Sequence, residues 1–128
     1  MSDLNPNVEW IEINGKNYPI AYNLNVIDEL QDRFQISITE FVDKLLNDKS
    51  FSFKGIRALL YEIINEGIEI LNDEGGNYAH IKEHTIGSML TPQGIEQITC
   101  YAIAYTLNTL PKEDEDTPSR GLRSNNNA

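Results

Sequence analysis

Hydrophobic positions recur along this chain in two rhythms. Through residues 8–13 and 16–22 they alternate with a period of two, on either side of Asn14-Gly15. A type I′ turn needs positive φ at both central positions, and an Asn-Gly pair supplies that. A two-residue turn pairs Ile13 with Lys16, Ile11 with Tyr18 and Glu9 with Ile20. Ile11, Ile13, Tyr18 and Ile20 then share one face, which is expected to be buried. Pro19 has no amide to give to a ladder, so it should sit at an edge or a bulge. A lone hairpin is marginal in water and must rest on helices.

After residue 22 the period lengthens to that of a helix. Val26, Ile27, Leu30 and Phe34 fall on one side of a short helix over 26–34, with Asn25 as its expected cap and Asp28 and Glu29 near its positive end. Ser37-Ile38-Thr39-Glu40 has the form of a capping box. It predicts a second helix to about Asn47, with Phe41, Val42, Leu45 and Leu46 inward. Ser50 or Ser52 is the expected cap of the third and longest helix, 53–73, whose stripe is Ile56, Leu59, Leu60, Ile63, Ile64, Ile68 and Leu71. Gly67 lies within that stripe. A missing side chain there would let another element come close, at a propensity cost of ~1 kcal/mol. Gly75-Gly76 ends the helix. Residues 77–90 are weakly patterned, with Ile86, Met89 and Leu90 suited to one short helical turn.

The last helix, 92–110, starts at Thr91-Pro92, where threonine can cap and proline loses no bond. Pro111 closes it. Ile95, Ile98, Ala102, Ile103, Leu107 and Leu110 form its stripe, and Tyr101, Ala104 and Tyr105 carry apolar character nearly all the way round. No charged side chain stands between Glu96 and Lys112. A helix of this kind is central to a core or shared with a partner. It is too short and too rich in Thr, Asn and Gln to span a bilayer. The expected class is therefore α+β, mostly α: a hairpin over 8–22 packed on about four helices, above all 53–73 and 92–110. One domain occupies 1–110, and a polar tail that is expected to be disordered occupies 111–128.

Charge narrows the classes. The formal net charge is −10. In the tail, Glu113, Asp114, Glu115 and Asp116 nearly cancel against Lys112, Arg120 and Arg123, leaving −1, so −9 belongs to the folded part. Nucleic acid and anionic membranes both require a basic surface, so neither is an expected partner. The single cysteine, Cys100, excludes an internal disulfide and suits a reducing cytoplasm. Met1 to Asn7 is polar, without the apolar run of a signal peptide.

Candidate chemistry is sparse. His80-Ile81-Lys82-Glu83-His84 spells H-x-x-E-H. On a helix, two histidines four apart can hold zinc while the glutamate acts as base. Such a site also needs a third protein ligand and a walled cleft, and these residues follow two glycines in a weakly helical stretch, so a solvated segment is the plainer reading. Cys100 has no nearby cation to activate it, and burial in the last helix is expected. Residues 73–77, Asp-Glu-Gly-Gly-Asn, lack the alternating ligands of a calcium loop and read as a helix end. Glu62, Glu66, Glu69 and Asp73 form an acidic row on the long helix, either a solvated face or a dock for a basic partner. No catalytic residue, cofactor site or metal site is assigned.

The order of elements is more specific than any one residue. A hairpin, IEINGKNYPIAYNL, leads into VIDELQDRF and the capped ISITEFVDKLL. The long helix IRALLYEIINEGIEI follows, then IGSMLTP, a last helix and a polar tail. Over about residues 8–110 this pattern resembles the tail assembly chaperones of long-tailed, siphovirus-type bacteriophages of Gram-positive hosts. The resemblance implies a small, acidic, non-enzymatic protein of the infected host's cytoplasm. It would bind the tape measure protein and tail tube subunits during tail morphogenesis and be absent from the mature virion. It also implies two products, the longer made by ribosomal frameshifting near the end of the short form. Leu110-Pro111-Lys112 is a candidate site, because suitable codons there would spell a slippery heptamer. A tape measure protein is long, helical and apolar, so a chaperone for it needs an apolar docking surface on an acidic body. The expected contact residues lie on the last helix: Ile98, Tyr101, Tyr105 and Leu107, facing the tape measure protein or a second copy of this chain. Three other classes remain open. They are a structural minor tail protein (a tube or tail-completion component) retained in the virion, an acidic inhibitor or DNA mimic, and, least favoured, an enzyme.

Overall fold

The computed structural model describes residues 5–91 and 94–109. Strands β1 (Glu9–Ile13) and β2 (Lys16–Ile20) form an antiparallel hairpin. Five helices follow among the described residues: α1 (Leu24–Phe34), α2 (Ile38–Asn47), α3 (Lys49–Asp73), α4 (Glu83–Met89) and α5 (Ile95–Thr109). The chain is thus α+β and mostly α, with α4 as the short extra turn that Ile86, Met89 and Leu90 suggested. Pro92, Leu110 and the tail 111–128 lie outside the described residues.

The hairpin register is the expected one, with Glu9 opposite Ile20, Ile11 opposite Tyr18 and Ile13 opposite Lys16. Asn14 and Gly15 hold φ of 55° and 80°, the positive values that a type I′ turn demands. Ile11, Ile13 and Ile20 are buried. Tyr18 is half-buried, and its hydroxyl meets the Met89 sulfur at 3.3 Å. Beyond β2 the chain locks onto α3 directly: the Ala21 amide donates to the Ile63 carbonyl at 2.9 Å. Gly67 makes this approach feasible. A Cβ at Gly67 would stand 2.7 Å from the Pro19 carbonyl carbon and 2.8 Å from the Ile20 nitrogen, closer than atoms tolerate.

Helix α3 is the centre of the molecule. Ile56, Leu59, Leu60, Ile63, Ile64, Ile68 and Leu71 are all buried, each at 4% exposure or less. Its neighbours are the hairpin, α1, α2, α4 and α5. Phe34 of α1, Phe41 of α2 and Phe51 of α3 form an aromatic triangle with centroids 5.2–5.6 Å apart, tying the first three helices together.

Three expectations at helix ends and faces are corrected. Asn23, not Asn25, caps α1: its extended backbone lets Oδ1 accept from the amides of Asn25 and Val26. Asn25 instead donates its side-chain amide to Glu66. Neither Ser50 nor Ser52 caps α3, which starts earlier, at Lys49. Asp48 both closes α2 and caps α3 by accepting from the Ser50 amide at 3.1 Å. Ser52 looks backwards, donating to the free Leu45 carbonyl of α2 at 2.9 Å. Leu46 is not inward but 60% exposed. Phe41 and Leu45 take the inner face of α2, and Leu46, in its last turn, is left facing solvent. Ser37 does cap α2, through the Glu40 amide at 3.1 Å.

Candidate interaction surface

Helix α5 begins with Thr91, whose Oγ1 accepts from the Gly94 amide at 3.0 Å and whose carbonyl accepts from Ile95. Its inner side carries Ala102, Ile103, Tyr105 and Thr106, all buried. The polar atoms on or beside that side are satisfied within the chain. Thr106 donates to the Ile103 carbonyl at 2.9 Å, and Tyr105 reaches the Ile20 carbonyl at 3.4 Å. Burial, with a smaller contribution from the Glu9 carboxylate, pushes the Tyr105 hydroxyl up to about 12.

The outer side of α5 is different. Cys100, Tyr101, Ala104 and Leu107 are exposed; Ala104 follows Cys100 by four residues and Tyr101 by three, and Leu107 follows by three more, so they form one strip along the helix. Tyr101 is 42% exposed and Leu107 49%. Burial first, then the Glu9 charge, raises the Tyr101 hydroxyl above its ordinary value.

The four expected contact residues therefore divide. Tyr101 and Leu107 stand on the outer strip. Ile98 is half-buried beside β1, where it lines a groove with Trp10, Ile11 and Tyr101. Tyr105, at 7% exposure, belongs to the chain's own core and offers no surface to a second protein. Cys100 is exposed, against the expectation of burial, because the hairpin and α3 cover the opposite side of α5. An uncharged helix gives no warning of which side its neighbours will take.

The acidic row behaves as a partly structural face. Glu66 accepts from the side-chain amides of Asn23 and Asn25 at 2.8 and 3.0 Å, holding the start of α1 against α3. Glu69 pairs with His80 at 2.6 Å. Glu62 is half-buried with Glu29 and Glu66 nearby. Burial first, then the Glu29 charge, raises its carboxyl above the usual range. Asp73 is exposed at the end of α3.

The H-x-x-E-H residues do not converge. His80 lies outside any helix, so it does not share a helical face with His84. Glu83, the first residue of α4, is held by Arg33 of α1 and, at 3.4 Å, by Arg57 of α3. The hydrogen bond from Arg33 is the main cause that lowers its carboxyl. Among the described residues no cluster of three or more His, Cys, Asp or Glu could hold a metal ion. Residues 73–77 form the end of α3, where Gly75 takes φ +100° and the Gly76 amide returns to the Leu71 carbonyl.

Two features escaped sequence reasoning. Phe53, at the start of α3, is 65% exposed over a cleft lined by Arg57, Gly87, Leu90, Thr91 and Ile95. Trp10 stacks edge-on against Tyr78 at 6.3 Å, beside the outer edge of β1. Alternation around Trp10 marks it as outward-facing, which is the signal that was available. Among the described residues no helix is long and apolar enough to cross a membrane. Compared with known proteins, the chain matches no family model, no curated protein and no solved structure.

Proposed function

We propose that this chain is a tail assembly chaperone of a long-tailed bacteriophage, covering the tape measure protein and engaging tail tube subunits while the tail is built. The observation that carries this reading is the outer strip of α5: Cys100, Tyr101, Ala104 and Leu107 present apolar area to water on a domain of strong negative charge. A strip about two turns long suits the apolar face of a helix, and the charge of the remaining surface keeps the loaded complex from aggregating. The order of hairpin, capped helices and last helix supports the same family, because the elements occur in the sequence that the resemblance requires. In this reading the protein does no chemistry, acts in the cytoplasm of the infected host and leaves before the virion matures. A frameshift near Leu110-Pro111-Lys112 would extend it without touching the elements that build the core.

Co-expression with a tape measure protein provides the test. The chaperone reading expects the two to co-purify, the tape measure protein to become soluble only in the presence of this chain, and mass spectrometry of purified particles to find none of it. Recovery of the chain in mature particles would instead make it a structural tail component.

A further inference from the structure

We propose that the outer edge of β1 accepts an extended segment of another polypeptide, alternating apolar and basic residues, as a third strand. This goes beyond the helical contact on α5 and holds whether or not the chain serves a phage tail.

The register of the hairpin supplies the first step. In an antiparallel pair, hydrogen-bonded and non-bonded residue pairs alternate. The two-residue turn makes Ile13 and Lys16 a bonded pair, so Trp10–Pro19 and Glu12–Asn17 are non-bonded pairs. Main-chain groups in non-bonded pairs point away from the partner strand. On the β2 side, Pro19 has no amide to offer and is buried against Gly67 of α3, so that edge is closed. On the β1 side, the amides and carbonyls of Trp10 and Glu12 point outward. Among the described residues none of these four groups has a hydrogen-bond partner within the chain. An edge left in this state is a template for strand addition.

The second step is the shape beside that edge. Trp10, Ile11 and Glu12 form one wall of an open groove, and Gln97, Ile98 and Tyr101 of α5 form the other. A strand laid on the β1 edge would direct alternate side chains into this groove, onto Ile98 and Tyr101, and the rest towards solvent.

Charge selects the occupant. Glu9 and Glu12 are exposed at the rim, and neither makes an ion pair among the described residues. Lys16 stands at the far end of the hairpin, over the Tyr18 ring. Glu12 lies on the face that carries Trp10, so lysine or arginine at alternate positions of an added strand would meet its carboxylate, while Glu9 shares the face of Ile11 at the end of the groove. A second copy of this chain would instead bring two more carboxylates to the same edge, from a molecule whose net charge is already −10. Cross-strand like charges destabilise pairing, which disfavours self-association through β1.

Trp10 is the only tryptophan, so the edge carries its own fluorescent reporter. The probe is a short blocked peptide of alternating valine and lysine, with three controls: its valine–glutamate counterpart, the basic peptide N-methylated at alternate amides, and protein alone across a concentration series. The expected result is that the basic peptide shifts Trp10 emission and slows exchange of the Trp10 and Glu12 amides, while the acidic and N-methylated peptides do neither. Glu12→Pro should abolish binding with unchanged melting, because position 12 gives no amide to β2. If that variant does not fold, the N-methylated peptide carries the same test on the natural chain. Equal binding by the N-methylated peptide, or unchanged amide exchange at saturating basic peptide, would overturn the proposal. Protection that grows with protein concentration alone would also overturn it and assign the edge to a second copy.

Discussion

Helices α3 and α5 are both rich in apolar residues but use them differently. In α3 the apolar residues fall in a stripe, and charged residues such as Lys54, Arg57, Glu69 and Asp73 mark the face that stays out. Everything apolar on the stripe is covered by the hairpin and the other helices. In α5 no charge marks an outer face beyond Glu96, and the neighbours bury Ala102, Ile103, Tyr105 and Thr106 while covering Ile95 and Ile98 in part. The remainder, Cys100, Tyr101, Ala104 and Leu107, stays in contact with water. Stability needs an apolar face only where it is covered, so the outer strip of α5 contributes little to the fold. In the proposed chaperone reading, this strip is the surface that meets the partner.

The largest effects should come from α3. Leu60→Ala or Ile63→Ala removes a fully buried side chain and should cost ~2–5 kcal/mol, read as a lowered denaturant midpoint. The same truncation at Leu107 should stay within about 0.5 kcal/mol of wild type. Equal losses at both places would erase the distinction between the helices.

Alkaline pH should expose a second difference. Burial pushes both Tyr22 and Tyr105 up to about 12. Both are protonated in the folded and unfolded chain at neutral pH, so they impose no penalty there. Above pH 10 the unfolded chain loses these protons while the folded chain keeps them. Stability should therefore fall between about pH 10 and 12, by on the order of 2 kcal/mol for each hydroxyl at most. Circular dichroism followed together with tyrosinate absorbance checks this. Tyr105→Phe should lessen the fall, and an unchanged alkaline profile in that variant would place Tyr105 outside the core.

A smaller loss is expected at the contact between hairpin and helix. Gly67→Ala improves helix propensity by ~1 kcal/mol but drives a methyl group into the Pro19–Ile20 backbone. A net destabilisation of about 1–2 kcal/mol should result, with the altered amide signals concentrated at residues 18–22. Net stabilisation would mean that the hairpin does not sit tightly on α3.

How much of this was legible in the sequence follows from the same contrast. The α3 stripe, the hairpin register and the role of Gly67 all rest on local spacing, and each was readable. The caps were less so. Asn23 and Asn25 are equally good capping residues, and Asp48, Ser50 and Ser52 all stand near the start of α3. The choice depends on how the chain reverses between helices, which spacing does not encode. Cys100 and Tyr105 were misplaced for one reason: on a helix with little charge contrast, the side that becomes interior is set by distant elements, whereas Leu46 stands in the last turn of α2, where the covering neighbours end. Of the four residues expected at a contact, Tyr101 and Leu107 stand on the outer strip, Ile98 is half-buried and Tyr105 lies in the core.

The smallest effect on stability should accompany the largest effect on function. Tyr101→Asp combined with Leu107→Asp places two charges on the outer strip of α5 and removes no fully buried side chain, only the partly covered Tyr101 ring beside Trp10 and Ile98. Co-purification with a tape measure protein, measured alongside thermal melting, tests the central claim most directly. The account predicts melting close to wild type and loss of the captured tape measure protein. A variant that melts normally and still captures it would contradict the claim that this strip is the docking surface.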